Sequence, residues 1–114
     1  MKDALGTSQA VISYFRESVD KNIPAQQMDL LMQVAQNEGV TMEELRLSNP
    51  DMQQSSISKN LSKLGDGGYG MIFKCKATRA QNTLVRTTLG VYLTANGKKF
   101  LNGLVAILST IKGM

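Results

Sequence analysis

Residues 41–64, TMEELRLSNPDMQQSSISKNLSKL, constrain this chain more than any other stretch. Thr41 and Glu44 have the T-x-x-E spacing of a capping box, in which a side chain and a backbone N–H at each end satisfy one another and start a helix. Leu45 and Leu47 are the expected core anchors of that short helix. Ser48-Asn49-Pro50-Asp51 must turn, because Pro50 lacks an N–H and pushes Asn49 out of the helical region. A second helix follows, with Ile57, Leu61 and Leu64 at i, i+4 and i+7 on one inward face. Its N-cap is Asn49, Asp51 or Gln53. The stretch therefore reads as helix, turn, helix, with small polar and amide side chains along the second helix.

The flanking sequence supplies a frame. Residues 3–20 read as a helix, with Ala4, Leu5, Val11, Ile12, Phe15 and Val19 mostly at helical spacing. Asn22-Ile23-Pro24 breaks it. Pro24 suits the first turn of a helix reaching about residue 37, with Met28, Leu31, Val34 and Ala35 on one face and Gly39 beyond its end. Residues 65–70, GDGGYG, cannot be helical and read as a flexible link. Residues 71–76 alternate apolar and basic, which predicts a half-buried strand with Phe73 and Cys75 on its apolar side. Residues 77–83 are polar and form the expected hairpin tip, and residues 84–93 are the returning strand. Thr94 caps a last helix to about residue 112, carrying Phe100, Leu101, Leu104, Val105, Ile107, Leu108 and Ile111. The fold class is thus mainly α with a small β-hairpin (α+β). One domain is expected over 1–114, with 24–93 as the helix-turn-helix and hairpin and with terminal helices at 1–22 and 95–114.

Charge is divided unevenly. The net +4 of the chain resolves into −3 for residues 1–50, where four basic side chains face seven acidic ones, and +7 for residues 51–114, where nine face two. The basic half holds the second helix of the pair and the hairpin, which implies a polyanionic partner. The chain has no histidine and one cysteine, Cys75. That removes the commonest general base and most zinc ligands, so no cofactor, no metal and no enzymatic activity are expected. A single cysteine also excludes an internal disulfide. With no apolar run of membrane-spanning length and no signal-like start, a cytoplasmic location without membrane contact is expected.

Several motifs match the wrong context. Gly65, Gly67 and Gly70 fit G-x-G-x-x-G, but here the motif follows a helix and opens a strand, the reverse of a dinucleotide site. Ser56-Ile57-Ser58-Lys59 fits S-x-x-K without the partner motifs of serine acylases. Asn60-Leu61-Ser62 fits a glycosylation acceptor but lies in a helix. Cys75, between Lys74 and Lys76, reads as a small buried hydrophobe rather than a redox sensor. Met28, Met32, Met42, Met52 and Met71 read as core filler.

Three pieces carry a resemblance to a known family. They are the Pro-started helix from Ile23-Pro24 to Leu31, the run Gln54-Ser55-Ser56-Ile57-Ser58-Lys59, and Leu93-Thr94-x-x-Gly97-Lys98 entering the last helix. Together, over nearly the whole chain, they resemble winged helix-turn-helix regulators of the multiple-antibiotic-resistance (MarR) type. The resemblance implies a homodimer that binds double-stranded DNA at a palindromic operator and regulates transcription, most simply as a repressor.

The residues suggest how. Gln53, Gln54, Ser55, Ser56, Ser58, Lys59, Ser62 and Lys63 form the exposed arc of the groove helix. Glutamine can bond adenine bidentately. Serines let a helix sit deep. Lys63 suits phosphate, and Lys59 suits phosphate or guanine. Arg79 at the hairpin tip suits a narrow A·T-rich minor groove, with Lys74, Lys76 and Arg86 meeting phosphates along the hairpin. Val11, Phe15, Leu101, Leu104, Val105, Leu108 and Ile111 are the expected dimer contacts, because one small domain hardly covers both terminal stripes. Whether a small-molecule effector exists is open. Two other readings share the pattern: a plasmid or phage replication, partition or architectural DNA-binding factor, and a winged helix whose exposed face binds protein.

Overall fold

The computed structural model describes residues 2–76 and 89–112, with side chains described over 6–75 and 89–110. Eight elements follow one another: α1 (Lys2–Ser18), α2 (Ala25–Gln36), β1 (Val40–Thr41), α3 (Met42–Ser48), α4 (Gln54–Leu64), β2 (Ile72–Lys76), β3 (Leu89–Leu93) and α5 (Ala95–Lys112). The expected five helices are present, and β2 and β3 pair antiparallel as the two strands of the expected hairpin should. Its expected tip at 77–83 and residues 84–88 of its returning strand lie outside the described residues. Strand β1, two residues ahead of α3, was not legible in the sequence.

The helix starts follow their local chemistry. Thr41 Oγ1 accepts from the Glu44 N–H and Glu44 Oε1 accepts from the Thr41 N–H, both at 3.1 Å, which completes the capping box of α3. Thr94 Oγ1 likewise accepts from the Gly97 N–H at 3.0 Å at the head of α5. Pro24 is the N-cap of α2, one position ahead of the first turn. Gln53 is the N-cap of α4 and contributes no side-chain hydrogen bond there. Gly39, at φ +91°, makes the turn into β1, a conformation that side-chain-bearing residues rarely adopt.

The sheet is antiparallel in the order β1-β3-β2. Val40 pairs with Val91, Ile72 with Leu93, and Phe73 with Tyr92. The Leu93 N–H donates to Glu38 Oε1 at 3.0 Å, so a carboxylate extends the β3 edge beyond the end of β1.

The phase of β2 corrects one expectation. Ile72, opposite Leu93, points inward and is buried, whereas Phe73 is 46% exposed and Cys75 is also exposed. A one-residue change of phase turns every side chain of a strand to the other face. Cys75 is therefore not a buried hydrophobe. Phe73 finds cover by stacking on Tyr92 across the ladder, with ring centroids 5.6 Å apart.

The core sits where α2, α3, α4 and the sheet converge. Leu30, Leu31, Val34, Leu45, Ile57, Leu61, Leu64 and Val91 are almost wholly buried, each worth about 1.5–3 kcal/mol of transfer free energy. Leu47 is not among them. At 67% exposed it faces away from the core, since α3 is only two turns long and Leu45 takes its inward position.

The link 65–70 is also not the flexible tether its glycines suggest. The Gly65 N–H donates to Leu61 O, the Gly68 and Gly70 N–H groups to Gly65 O, Tyr69 N–H to Lys63 O, and Met71 N–H to Leu64 O, all at 2.8–3.0 Å. This hydrogen-bonded return seats β2 beside the end of α4.

Helices α1 and α5 pack together in the same chain. Tyr14 stacks on Phe100 with centroids 4.7 Å apart and donates its hydroxyl to the Phe100 carbonyl at 2.6 Å, and Phe15 meets Phe100 edge-on at 5.0 Å. No helix among the described residues is long and apolar enough to cross a membrane.

Candidate nucleic-acid interface

The floor of the candidate interface is α4. Its stripe Ile57, Leu61 and Leu64 is buried, so the helix is held by one face and presents the other. Residues two positions behind that stripe, Ser55, Lys59 and Ser62, have the same i, i+4, i+7 spacing. They fall on the opposite side of the helix and are exposed. Gln53 and Gln54 are exposed at the N-terminal end, and Ser58 and Lys63 are exposed on the flanks. Ser56 is half-buried, the one member of the expected arc that turns partly toward the protein.

The basic residues divide among several places. Lys59 projects from the middle of α4. Lys63 lies in its last turn, with Nζ 5.3 Å from the centroid of the Tyr69 ring, a cation–π arrangement. Lys74 is exposed on β2, the strand that leaves the end of α4. Lys76 ends β2, with its side chain outside the described set, and Arg79 and Arg86 lie outside the described residues. A shallow cavity of about 280 Å³ opens between α4 and β2, lined by Leu61, Ser62, Gly65, Asp66, Ile72, Phe73 and Lys74.

Some residues that shape this surface carried no recognisable signal. Asn60, a polar residue beside the inward stripe, accepts from Gln27 Nε2 at 3.2 Å and donates to Gln26 Oε1 at 3.4 Å. In the turn between α3 and α4, Asn49 and Gln33 exchange two amide hydrogen bonds at 2.9 and 3.0 Å. Asn49 Nδ2 also donates to Leu45 O at 2.7 Å, closing the end of α3. Tyr69 donates its hydroxyl to Asp20 Oδ2 at 3.1 Å. The side-chain to side-chain pairs are 16 to 49 residues apart, and periodicity cannot find a partner at that distance. The only signal available was the oddity of an amide on an apolar flank.

The terminal helices redistribute the expected dimer contacts. Phe15, Leu101 and Leu104 are buried inside the chain, where α1 and α5 cover one another, so they are not available as surface contacts. Val105 is 59% exposed and Ile12 39% exposed, with Val11 and Leu108 half-buried beside the core. Ile111 lies in α5 with its side chain outside the described set.

No protein-family model and no curated protein matches the chain. Its structure is similar to the crystal structure of a MarR transcriptional regulator from Methanosarcina mazei Go1. The TM-score is 0.61 at 20% sequence identity, over 97% of this chain and 75% of that one. The helix-turn-helix held by α2, the antiparallel hairpin behind it and the paired terminal helices are thus the parts of a MarR-like winged helix, and that is the fold of this chain.

Proposed function

We propose that this protein is a sequence-specific double-stranded DNA-binding regulator of transcription, a repressor acting as a homodimer on a palindromic operator. The observation that carries the reading is the two-sided character of α4. A fully buried Ile57-Leu61-Leu64 face clamps it, and an exposed Gln, Ser and Lys face is left pointing outward. A helix held in this way, next to a basic hairpin, has the shape and charge to enter a major groove. Gln54 and Gln53 read bases, Lys59 contacts phosphate or guanine, and Lys63 and Lys74 contact phosphate. Arg79 enters the minor groove, while Lys76 and Arg86 line the hairpin. The similar MarR transcriptional regulator adds support at the level of fold. Dimerisation falls to the exposed apolar residues of the terminal helices, Ile12 and Val105, with Val11 and Leu108 at their edge.

The test is selection from a random duplex library, followed by titration of the selected duplex across salt concentrations. The expected result is an enriched inverted repeat and an affinity that falls linearly with salt on a double-logarithmic plot. No duplex affinity at low salt would overturn the reading and favour a protein-binding winged helix. Extended, cooperative protection without a preferred sequence would favour an architectural or replication role.

A further inference from the structure

The contact between α2 and α4 contains a buried amide where an apolar side chain would fill the space. Gln27 is 8% exposed. Its Nε2 donates to Asn60 Oδ1 at 3.2 Å, and its Oε1 is buried with no hydrogen-bond partner among the described residues. Asn60 in turn donates to Gln26 Oε1 at 3.4 Å. Burying an amide oxygen with nothing to accept from costs stability, so on packing grounds a leucine–leucine contact would serve better. The amides bring direction instead. Apolar contact is non-directional and tolerates small rotations of one helix against another, whereas a hydrogen bond weakens steeply away from its preferred angle.

Asn60 follows Lys59 directly, on the flank between the buried stripe and the exposed row. Side-chain tips lie roughly 5–6 Å from a helix axis, so a 20° rotation of α4 would carry Ser55, Lys59 and Ser62 sideways by about 2 Å. That is enough to lose a hydrogen bond to a base edge. The other end of the motif is held in the same manner, by the reciprocal Gln33–Asn49 amide pair from α2 to the turn before α4.

We propose that Gln27 and Asn60 are positioning residues that set the rotation of α4 about its own axis, and through it the discrimination between DNA sequences. Neither side chain touches DNA in this arrangement. The proposal rests on the DNA-binding reading above.

The double variant Gln27→Leu with Asn60→Leu removes the amides and keeps apolar contact. Its fold is checked by thermal melting, with a midpoint expected at or above that of the parent protein. The readout is the ratio of affinities for the selected duplex and a random duplex at one salt concentration. That ratio should fall about tenfold, the size of one base contact. Random-duplex affinity and its salt slope should stay unchanged. The exchange variant Gln27→Asn with Asn60→Gln keeps both amides and their combined length, and should restore the ratio to within about threefold. If the double variant melts below the parent, Gln27→Met, which removes the buried amide at nearly constant length, carries the same expectation.

A ratio unchanged in a folded variant, or equal losses on selected and random duplex, would overturn the positioning role while leaving DNA binding intact. A parent protein without duplex affinity would overturn both. An exchange variant as undiscriminating as the double leucine variant would show that packing volume, and not the amide pair, sets the helix.

Discussion

The Tyr69 hydroxyl donates to the Asp20 carboxylate at 3.1 Å, across 49 residues of sequence. Asp20 ends the turn after α1, and its other oxygen accepts the Asn22 N–H at 3.0 Å. Tyr69 belongs to the return that seats the hairpin, and the Lys63 ammonium lies over its ring. The turn after α1, the end of α4 and the base of the hairpin therefore meet at one aromatic side chain.

That junction gives a pH dependence of known sign. The Asn22 N–H, then the Tyr69 hydroxyl, then the nearby lysines hold the Asp20 carboxyl below its ordinary value of 3.8. A depressed folded-state value contributes stability above the ordinary value, and that contribution is lost as pH falls through the lowered one. Asp20→Asn should therefore flatten the acid limb of stability, and Tyr69→Phe should flatten it less, since the backbone contact is the larger cause. Thermal melting across about pH 2 to 6 checks this. Identical acid limbs in all three proteins would remove the junction from the account. Tyr69 itself is held above its ordinary value of 10.0 by burial and by Asp20, so its contribution is lost only in strong alkali.

Gln54 and Lys63 stand at opposite ends of α4 and should behave differently on DNA. Gln54→Ala should relax preference at one base position in each half-site, losing roughly 1–3 kcal/mol of discrimination. Lys63→Ala should weaken all sequences alike and reduce the magnitude of the salt slope by about one unit. Equal scaling of all sequences by both changes would show that Gln54 reads no base.

The exposed apolar residues of the terminal helices give a clean probe of assembly. Val105→Glu should convert a dimer to a monomer in sedimentation while moving the melting temperature little, because Val105 is 59% exposed and outside the core. Leu104→Glu, at a buried position, should instead unfold the chain. A parent protein that sediments as a monomer at micromolar concentration would refute the dimer.

Two glycines inside helices should respond to alanine with opposite signs. Gly6 in α1 has open space around it, so Gly6→Ala should stabilise by about 0.5–1 kcal/mol through helix propensity. Gly97 in α5 is different. A Cβ there would collide with the Met71 carbonyl oxygen, which is held in place by the Thr94 N–H at 2.9 Å. Gly97→Ala should cost about 1–3 kcal/mol despite its better propensity. Denaturant melts of the two variants decide, and two shifts of the same sign would contradict the close approach of α5 to the hairpin base.

Local structure was legible in the order of residues. The Thr41–Glu44 box, the Pro50 turn, the Ile57-Leu61-Leu64 stripe and the Thr94 cap each depend on residues within a few positions, and such patterns bear directly on helix starts and faces. Chain order then placed a basic hairpin after the helix pair, and that order carried the fold class. Which apolar face meets which was settled by the folded core. It turned Phe73 and Cys75 outward, left Leu47 exposed, and spent Phe15, Leu101 and Leu104 on contacts within the chain. It also decided the partners of Gln27, Gln33 and Asp20, which lie far along the chain. The reason is physical. Capping and periodicity act over one or two turns, whereas strand phase and amide pairing depend on atoms that only the folded core brings together.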